Sequence, residues 1–269
     1  MPIRFFKNNI IKTGEWSHEF LFNSSGTTGQ ELSCHAIPSI QLYHKNCQYI
    51  FEYFFGKLNQ YHFFCLLPSY LERKNSSLVS MASHFIKESG SKLSGFYLNN
   101  LETLVKRLVQ LKGHKKVMLL GVTFALLDLA EQFSVDLSDC SVIETGGMKG
   151  RRNEITRQEL SEIIANKLNI KNIYSEYGMT ECLSQAYSLE AGLFQCPPYM
   201  KVLIKEANDP FSHKTTEVGV INIIDLANTH SCAFIETEDI GKSTHSGYFE
   251  VLGRLDNADL RGCNLLISR

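Results

Sequence analysis

Near the start of the chain, a segment rich in hydroxyl side chains and glycine follows the apolar residues 20–22. Glycine lets the backbone turn so that its N–H groups point inward, and serine and threonine hydroxyls can surround phosphate oxygens. The segment lacks the Gly-Lys-Ser/Thr ending of a Walker A loop, and taken alone it is also typical of an ordinary loop. Its six residues are Ser24, Ser25, Gly26, Thr27, Thr28 and Gly29.

Three further polar segments, which we expect to be loops, occupy residues 177–181, 237–241 and 253–256. In the first, Thr180 and Glu181 place a hydroxyl beside a carboxylate, and a hard cation such as Mg²⁺ binds carboxylate and phosphate oxygens together. In the second, the carboxylate of Asp239 can accept hydrogen bonds from two hydroxyl groups. Taken alone, the first segment would also fit a turn at the end of a strand, and the second would also fit an exposed acidic turn.

Length, charge and cysteine pattern narrow the class of protein. The chain has 269 residues, 43% of them hydrophobic, which suffices for one large core or for one large and one small lobe. With 27 basic and 28 acidic residues, we expect no nucleic-acid or anionic-membrane partner. The eight cysteines include no Cys-x-x-Cys pair and read as reduced thiols. No apolar run suits a signal peptide or a membrane span, so we expect a cytoplasmic protein.

Hydrophobic periodicity predicts that strands and helices alternate over about the first 182 residues. This alternation predicts an α/β fold in which a mostly parallel sheet is flanked by helices and ligands bind at the carboxyl ends of the strands. The predicted strands are residues 18–23, 62–67, 117–121, 141–144 and 172–175, and the predicted helices are residues 39–58, 76–89, 101–109 and 123–133, with another that begins at a Thr156–Glu159 capping box.

The sequence pattern changes at about residue 196, where short β-rich runs separated by turns replace the alternation of strands and helices. We therefore expect one continuous unit in two parts: an α/β part of residues 1–195 and a smaller β subdomain of residues 196–269. The predicted strands of the second part are residues 200–205, 218–224, 232–235 and 248–252.

The four polar segments, in this order and at these spacings, resemble those of the adenylate-forming superfamily, whose members join a carboxylate to the α-phosphate of ATP and release pyrophosphate. The resemblance implies an α/β nucleotide-binding part and the use of ATP and Mg²⁺. It also implies that the segment from Ser24 to Gly29 holds the β- and γ-phosphates. Gly146 and Gly147 match a glycine-rich segment that lines adenine and the acyl pocket in this superfamily.

The same resemblance implies roles for the later segments. Tyr177, followed by Gly178, would stack on adenine, while Thr180 would contact the α-phosphate and Glu181 would bind Mg²⁺ and act with it in catalysis. Asp239 would hold both ribose hydroxyls, and Arg254 would lie near the ribose and phosphate.

Two features depart from the common pattern of the superfamily. The Pro-Lys that usually follows the phosphate loop is replaced, since Gln30, Glu31 and Leu32 follow here. The chain also stops 15 residues after Arg254, so we expect no mobile C-terminal domain of the kind that completes acyl-CoA synthetases.

The last residues indicate a particular branch. Residues 260–266 resemble the end of the LuxE-like acyl-protein synthetases of bacterial bioluminescence, the long-chain fatty acid–luciferin component ligases, and residues 225–228 fit the same branch. In that branch a cysteine near the C-terminus receives the acyl group from acyl-AMP as a thioester, and Cys263 matches it. A thiol attacks a mixed anhydride readily, although free cysteine is also commonly a small buried residue.

Three functions stay open at this point. The first is an enzyme that activates a carboxylic acid, expected to be a fatty acid, and passes the acyl group to Cys263 and then to a partner reductase or carrier protein. The second is a degenerate module that only binds a nucleotide or an acyl group. The third is part of an acyl-CoA ligase of the phenylacetate type. The joint presence of Thr180, Glu181, Asp239 and Arg254 favours catalysis.

Overall fold

The computed structural model describes residues 1–24, 32–68, 75–97, 100–111, 115–146, 155–190, 192–206, 215–244 and 247–255. The strands within these residues are β1 (Phe20–Asn23), β2 (Cys34–Ile37), β3 (Tyr61–Leu66), β4 (Gly95–Phe96), β5 (Lys116–Val122), β6 (Cys140–Thr145), β7 (Asn172–Tyr177), β8 (Ala186–Glu190), β9 (Leu193–Gln195), β10 (Met200–Lys205), β11 (Val218–Asp225), β12 (Phe234–Ser243) and β13 (Phe249–Arg254). The α-helices are α1 (Phe5–Asn8), α2 (Ile40–Phe55), α3 (Ser77–Glu88), α4 (Leu101–Gln110), α5 (Thr123–Gln132) and α6 (Arg157–Leu168).

Eleven of these strands form one mixed sheet in the order β10-β11-β12-β13-β9-β8-β7-β6-β5-β3-β4. Strands β4, β3, β5, β6 and β7 are mutually parallel, and the remaining neighbours are antiparallel. Strands β1 and β2 pair separately as an antiparallel hairpin. The predicted α/β class with a sheet flanked by helices is confirmed, and the parallel strands come from the part of the chain where alternation predicted them.

Burial explains the parallel half of the sheet. In β5 every residue after Lys116 is buried, which is the pattern of a strand that is covered on both faces. Helices α2 and α3 pack against each other, as do α5 and α6, and all four contribute side chains to the large core. None of the described helices is both long enough and apolar enough to cross a lipid bilayer.

Local sequence signals define where the helices begin. Helix α4 starts after Asn100, whose side chain accepts a hydrogen bond from the backbone N–H of Thr103 at 3.0 Å. Helix α6 starts with the predicted capping box, because Thr156 and Glu159 each bond the other's backbone N–H. Such reciprocal bonds satisfy N–H groups that have no partner within the helix.

Two of the predicted loops are instead parts of strands. Asp239 lies within β12 and Arg254 is the last residue of β13, where the two are paired across the antiparallel ladder. Polar residues often indicate a turn, but β12 has one partly exposed face on which such residues are tolerated. Strands β2, β4, β8 and β9 were not predicted. The sheet continues across residue 195, and the division into two parts at that point stays a prediction.

The capping box gives a test of how α6 is held. Removing the Thr156 hydroxyl in Thr156→Ala leaves the N–H of Glu159 without its acceptor, so we expect the free energy of unfolding to fall by about 1 kcal/mol. Ser39 precedes α2 without a side-chain capping bond, which makes Ser39→Ala the matched control. Urea denaturation of both variants measures the difference. Equal losses in the two variants would contradict the role assigned to the box.

Candidate active site

The predicted phosphate loop lies in the connection between β1 and β2, and the two ends of that connection are hydrogen-bonded to each other. The N–H of Ser24 donates to the carbonyl oxygen of Ser33 at 3.0 Å, and the N–H of Ser33 donates to the Ser24 hydroxyl at 2.9 Å. The other five residues of the predicted loop, Ser25, Gly26, Thr27, Thr28 and Gly29, lie outside the described residues. The structure therefore fixes where this loop leaves and rejoins the fold.

Glu181, the predicted Mg²⁺ ligand, contacts the base of this loop. The Ser33 hydroxyl lies close enough to the Glu181 carboxylate to lower its pKa, and Glu181 is 6% exposed. Burial is the largest effect and raises the pKa of Glu181, while the Ser33 hydroxyl and the positive charge of Arg254 lower it. The predicted metal ligand therefore lies near Ser33, which follows the predicted phosphate loop, although Ser33 and Glu181 are 148 positions apart in sequence.

The segment that carries Glu181 begins at the carboxyl end of β7. Tyr177 is the last residue of β7, and the turn continues through Gly178 to Thr180. A Cβ atom at position 178 would collide with the carboxylate of Glu176, so a larger residue there would require the Glu176 side chain to move. The carbonyl oxygen of Thr180 accepts a hydrogen bond from Nδ1–H of His35 at 2.7 Å.

His35 and Asn228 hold the backbone of this segment, and no sequence pattern assigns either residue an individual role. Nε2 of His35 lies 3.0 Å from Oδ1 of Asn228, whose side-chain nitrogen donates to the carbonyl oxygens of Glu181 at 2.8 Å and of Cys232 at 3.0 Å. Burial lowers the pKa of His35, and its two hydrogen bonds oppose that shift. The carbonyl groups of Thr180 and Glu181 are therefore both fixed from outside β7.

Asp225 fixes the next part of the same segment. This fully buried carboxylate accepts hydrogen bonds from the N–H groups of Leu183 and Ser184 at 2.9 Å, from the Ser184 hydroxyl at 2.6 Å and from the N–H of Ala227 at 3.1 Å. In the sequence, residues 225–228 only indicate the family branch. In the structure, Asp225 and Asn228, the first and last of these residues, bind the segment that follows Tyr177.

Asp239 and Arg254 lie beside each other on the neighbouring strands β12 and β13. The Tyr177 hydroxyl donates to Oδ2 of Asp239 at 2.7 Å, and Nε of Arg254 lies 3.6 Å from Oδ1. The Arg254 side chain is 78% exposed, so solvent weakens this ion pair. Burial raises the pKa of Asp239, and the contacts with Tyr177 and Arg254 lower it. The predicted ribose and phosphate contacts are thus adjacent to each other and to Tyr177.

The ring of Tyr177 is packed against other aromatic rings. Its centroid lies 5.8 Å from that of Phe194 and 5.7 Å from that of Phe249, both edge to face, and the residue is 7% exposed. Stacking of this ring on adenine stays a prediction.

The glycine segment after β6 is described only at its beginning. Gly146 has a φ of 79°, a left-handed conformation that favours glycine, and its carbonyl oxygen accepts a bond from the Thr123 hydroxyl at 3.2 Å. Gly147 lies outside the described residues, as does Cys263. Their predicted roles stay predictions.

Two buried carboxyl groups at the carboxyl ends of β6 and β7 were not predicted. Glu144 accepts a hydrogen bond from Thr123, and Glu176 accepts one from Thr145. Burial raises the pKa of both, to about 7 for Glu176. In the sequence each is a single glutamate in a strand, with no pattern that marks it as buried.

Glu176 predicts a pH dependence of stability. Its pKa is raised from 4.5 to about 7 in the folded protein, so folding favours the protonated form. The stability it contributes is fully present below about pH 4.5 and is lost as the pH rises through about 7. Glu176→Gln imitates the protonated side chain. Between pH 4.5 and pH 8 its free energy of unfolding should rise relative to wild type by roughly 3 kcal/mol.

Denaturation of wild type and variant at both pH values measures this change. Glu190→Gln, at an exposed position in β8, is the control and should follow wild type. Parallel behaviour of Glu176→Gln and wild type across the range would contradict a neutral Glu176 in the folded state.

Comparison with solved structures shows the fold. ATP-bound MatB from Rhodopseudomonas palustris has 14% identity and a TM-score of 0.64, covering 87% of this chain and 47% of that one. O-succinylbenzoate coenzyme A synthetase (MenE) from Bacillus subtilis, in complex with AMP, has 16% identity and a TM-score of 0.64, covering 90% and 50%. An ATP-bound RpMatB–BxBclM chimera has 15% identity and a TM-score of 0.65, covering 87% and 47%. The chain spans about half the length of these proteins of the adenylate-forming superfamily.

Comparison with sequences shows the family. No curated protein is significantly similar to the chain. A family model described as acyl-protein synthetase, LuxE, matches residues 76–269, which is more than half of the chain and includes every predicted site residue after the phosphate loop. The chain therefore belongs to the LuxE acyl-protein synthetase family, and its fold is that of the adenylate-forming enzymes.

Proposed function

We propose that this protein uses ATP to activate a carboxylic acid as an acyl-adenylate and then transfers the acyl group to the thiol of Cys263. The family and the fold support acid activation in general. Transfer to a cysteine, a fatty acid as the substrate and a reductase or carrier protein as the next acceptor are the more specific parts of the proposal.

One observation supports the proposal: five of the predicted site residues that the structure describes, Ser24, Tyr177, Glu181, Asp239 and Arg254, are linked by neighbouring contacts. Ser24, the first residue of the predicted phosphate loop, is hydrogen-bonded to Ser33, and the Ser33 hydroxyl lowers the pKa of the Glu181 carboxyl group. Arg254 acts electrostatically on Glu181 and lies beside Asp239. A module that bound only acyl chains would have no need for a phosphate loop, a carboxylate and a ribose-binding group in one place.

Glu181 fits a magnesium ion that is shared with substrate. Among the described residues, no three His, Cys, Asp or Glu side chains are grouped closely enough to hold a metal by themselves. Mg²⁺ is commonly held by one or two carboxylates together with substrate phosphates and water, so a single buried carboxylate at the base of the phosphate loop suits it. When bound, the ion would neutralise negative charge on the phosphates.

The proposed reaction has two steps. In the first, a carboxylate oxygen of the acid attacks the α-phosphorus of ATP, the bond from that phosphorus to the oxygen bridging to the β-phosphate breaks, and pyrophosphate leaves. In the second, the Cys263 thiol loses its proton and its sulfur attacks the acyl carbon. The C–O bond to AMP breaks, and AMP leaves with the oxygen that came from the acid. Positioning and charge stabilisation supply the catalysis of the first step.

The solved neighbours are consistent with the choice of nucleotide. MatB and the chimera were solved with ATP, and MenE was solved with AMP. We extend this nucleotide chemistry to the present chain, because it shares their fold and because Tyr177, Glu181 and Asp239 lie close to the carboxyl end of β7.

Glu181→Ala tests the activation step. Without this carboxylate we expect acid-dependent exchange of pyrophosphate into ATP to fall by roughly 100-fold or more, because charge stabilisation of the phosphates is lost. Glu190→Ala, at an exposed position, is the control for removal of a glutamate. Thermal unfolding checks that both variants are folded. Wild-type exchange in folded Glu181→Ala would contradict the assignment.

Cys263→Ser tests the transfer step. Intact mass is measured after incubation with ATP, Mg²⁺ and a panel of fatty acids, with and without neutral hydroxylamine. We expect wild type to gain one acyl group that hydroxylamine removes, because thioesters are cleaved by this nucleophile, and Cys263→Ser to gain none while it retains pyrophosphate exchange. Cys232→Ser, which changes a partly exposed cysteine elsewhere, should behave as wild type. A hydroxylamine-labile adduct on Cys263→Ser would show that another cysteine is the acceptor.

A further inference from the structure

Tyr177 contacts the predicted ribose-binding residue through its hydroxyl. This residue ends β7, whereas Asp239 lies in β12, and 62 positions separate them in sequence. The hydroxyl donates to Oδ2 of Asp239 at 2.7 Å, a short bond between a neutral donor and a carboxylate. No part of the sequence pattern indicated this contact.

Aromatic packing leaves the Tyr177 ring little freedom to move away from Asp239. The rings of Phe194 and Phe249 lie 5.5 Å apart and nearly parallel, and both meet the Tyr177 ring at steep angles of 60° and 73°. Phe194 and Phe249 are also direct partners across β9 and β13. Because the sheet itself holds these rings, the Tyr177 hydroxyl is fixed relative to β12.

The carboxylate of Asp239 is therefore oriented before a nucleotide binds. Tyr177 bonds Oδ2, Nε of Arg254 lies 3.6 Å from Oδ1, and the backbone N–H of Asp239 donates to the Thr237 hydroxyl at 3.0 Å. A carboxylate has about four acceptor positions, so each oxygen retains capacity for one more hydroxyl donor. Two vicinal hydroxyls of a ribose match that remaining capacity.

We propose that Tyr177 is a positioning residue, which orients the Asp239 carboxylate through its hydroxyl and so sets the preference of the site for ribonucleotides over deoxyribonucleotides. This inference rests on the nucleotide site of the proposed function. It differs from adenine stacking, which needs only the aromatic ring, because it depends on the single oxygen atom of the side chain.

Tyr177→Phe separates the two roles, because it keeps the ring and removes the hydroxyl. Calorimetric titration with AMP and with 2′-deoxyAMP gives the ratio of the two dissociation constants, and pyrophosphate exchange with ATP and 2′-deoxyATP gives the matching kinetic ratio. We expect the wild-type preference for the ribonucleotide to fall roughly 10-fold to 100-fold in the variant, the range for loss of a hydrogen bond to a charged group.

Tyr61→Phe is the matched control. Tyr61 is a buried tyrosine whose hydroxyl also donates one bond of 2.7 Å, to the carbonyl oxygen of Phe55, but it begins β3 at the opposite end of the parallel strands. This control should keep the wild-type ratio. Asp239→Asn alone should lose the preference for the ribonucleotide. Adding Tyr177→Phe to Asp239→Asn should lower that preference no further, because Tyr177 acts through Asp239.

The outcomes distinguish this inference from the proposed activity. If Tyr177→Phe keeps the wild-type preference for the ribonucleotide, the inference is overturned. If Tyr177→Phe does not fold, a wild-type preference in Asp239→Asn overturns it. Tyr177→Phe could lose the preference for AMP over 2′-deoxyAMP while wild type shows no acid-dependent pyrophosphate exchange. That result supports the inference and contradicts the proposed activity. Absence of AMP binding by wild type overturns both.

Discussion

The buried carboxylate of Asp225 receives four hydrogen bonds, and the position of the candidate nucleotide site depends on them. Three of the four come from Leu183 and Ser184, directly after the segment that contains Thr180 and Glu181. A buried carboxylate without hydrogen-bond donors lowers the stability of the fold, and so do buried N–H groups without acceptors. The Asp225 carboxylate and the N–H groups of Leu183 and Ser184 therefore depend on each other. Through it, the segment is attached to the end of β11 as well as to β7.

His35 and Asn228 extend the same constraint toward the phosphate loop. His35 follows that loop in β2, and Asn228 follows Asp225 in the chain. Together they bind the carbonyl groups of Thr180 and Glu181. Four separate stretches of sequence thus meet around one short turn: β1–β2, β7, the end of β11 and the β12–β13 pair. The mixed sheet makes this possible, because its antiparallel half brings Asp239 and Arg254 beside the carboxyl end of the parallel half.

Local signals in the sequence were sufficient for most helices and for four of the five parallel strands, β3, β5, β6 and β7, whereas the two-residue strand β4 was not predicted. Hydrophobic spacing predicted α2, and the Thr156–Glu159 pair predicted the start of α6, because each of these depends on residues a few positions apart. The resemblance pointed to Glu181, Asp239 and Arg254, which the structure brings together. Three contacts could not be predicted, because they join residues 41 to 145 positions apart: Asp225 with Ser184, Tyr177 with Asp239, and His35 with Thr180. Likewise, the acidic residues of β12 lie in a strand because of pairing with β11 and β13, which their own sequence does not specify.

In the proposed function, a carboxylic acid is activated by forming a bond to the α-phosphate of ATP, and the fate of the acid's oxygen shows whether that bond forms. A fatty acid labelled with ¹⁸O in its carboxyl group is incubated with the protein, ATP and Mg²⁺, with hydroxylamine present to accept the acyl group, and the nucleotide products are analysed by mass spectrometry. We expect AMP that carries one ¹⁸O atom. Label in inorganic phosphate with formation of ADP, or unlabelled AMP, would contradict the proposed activation.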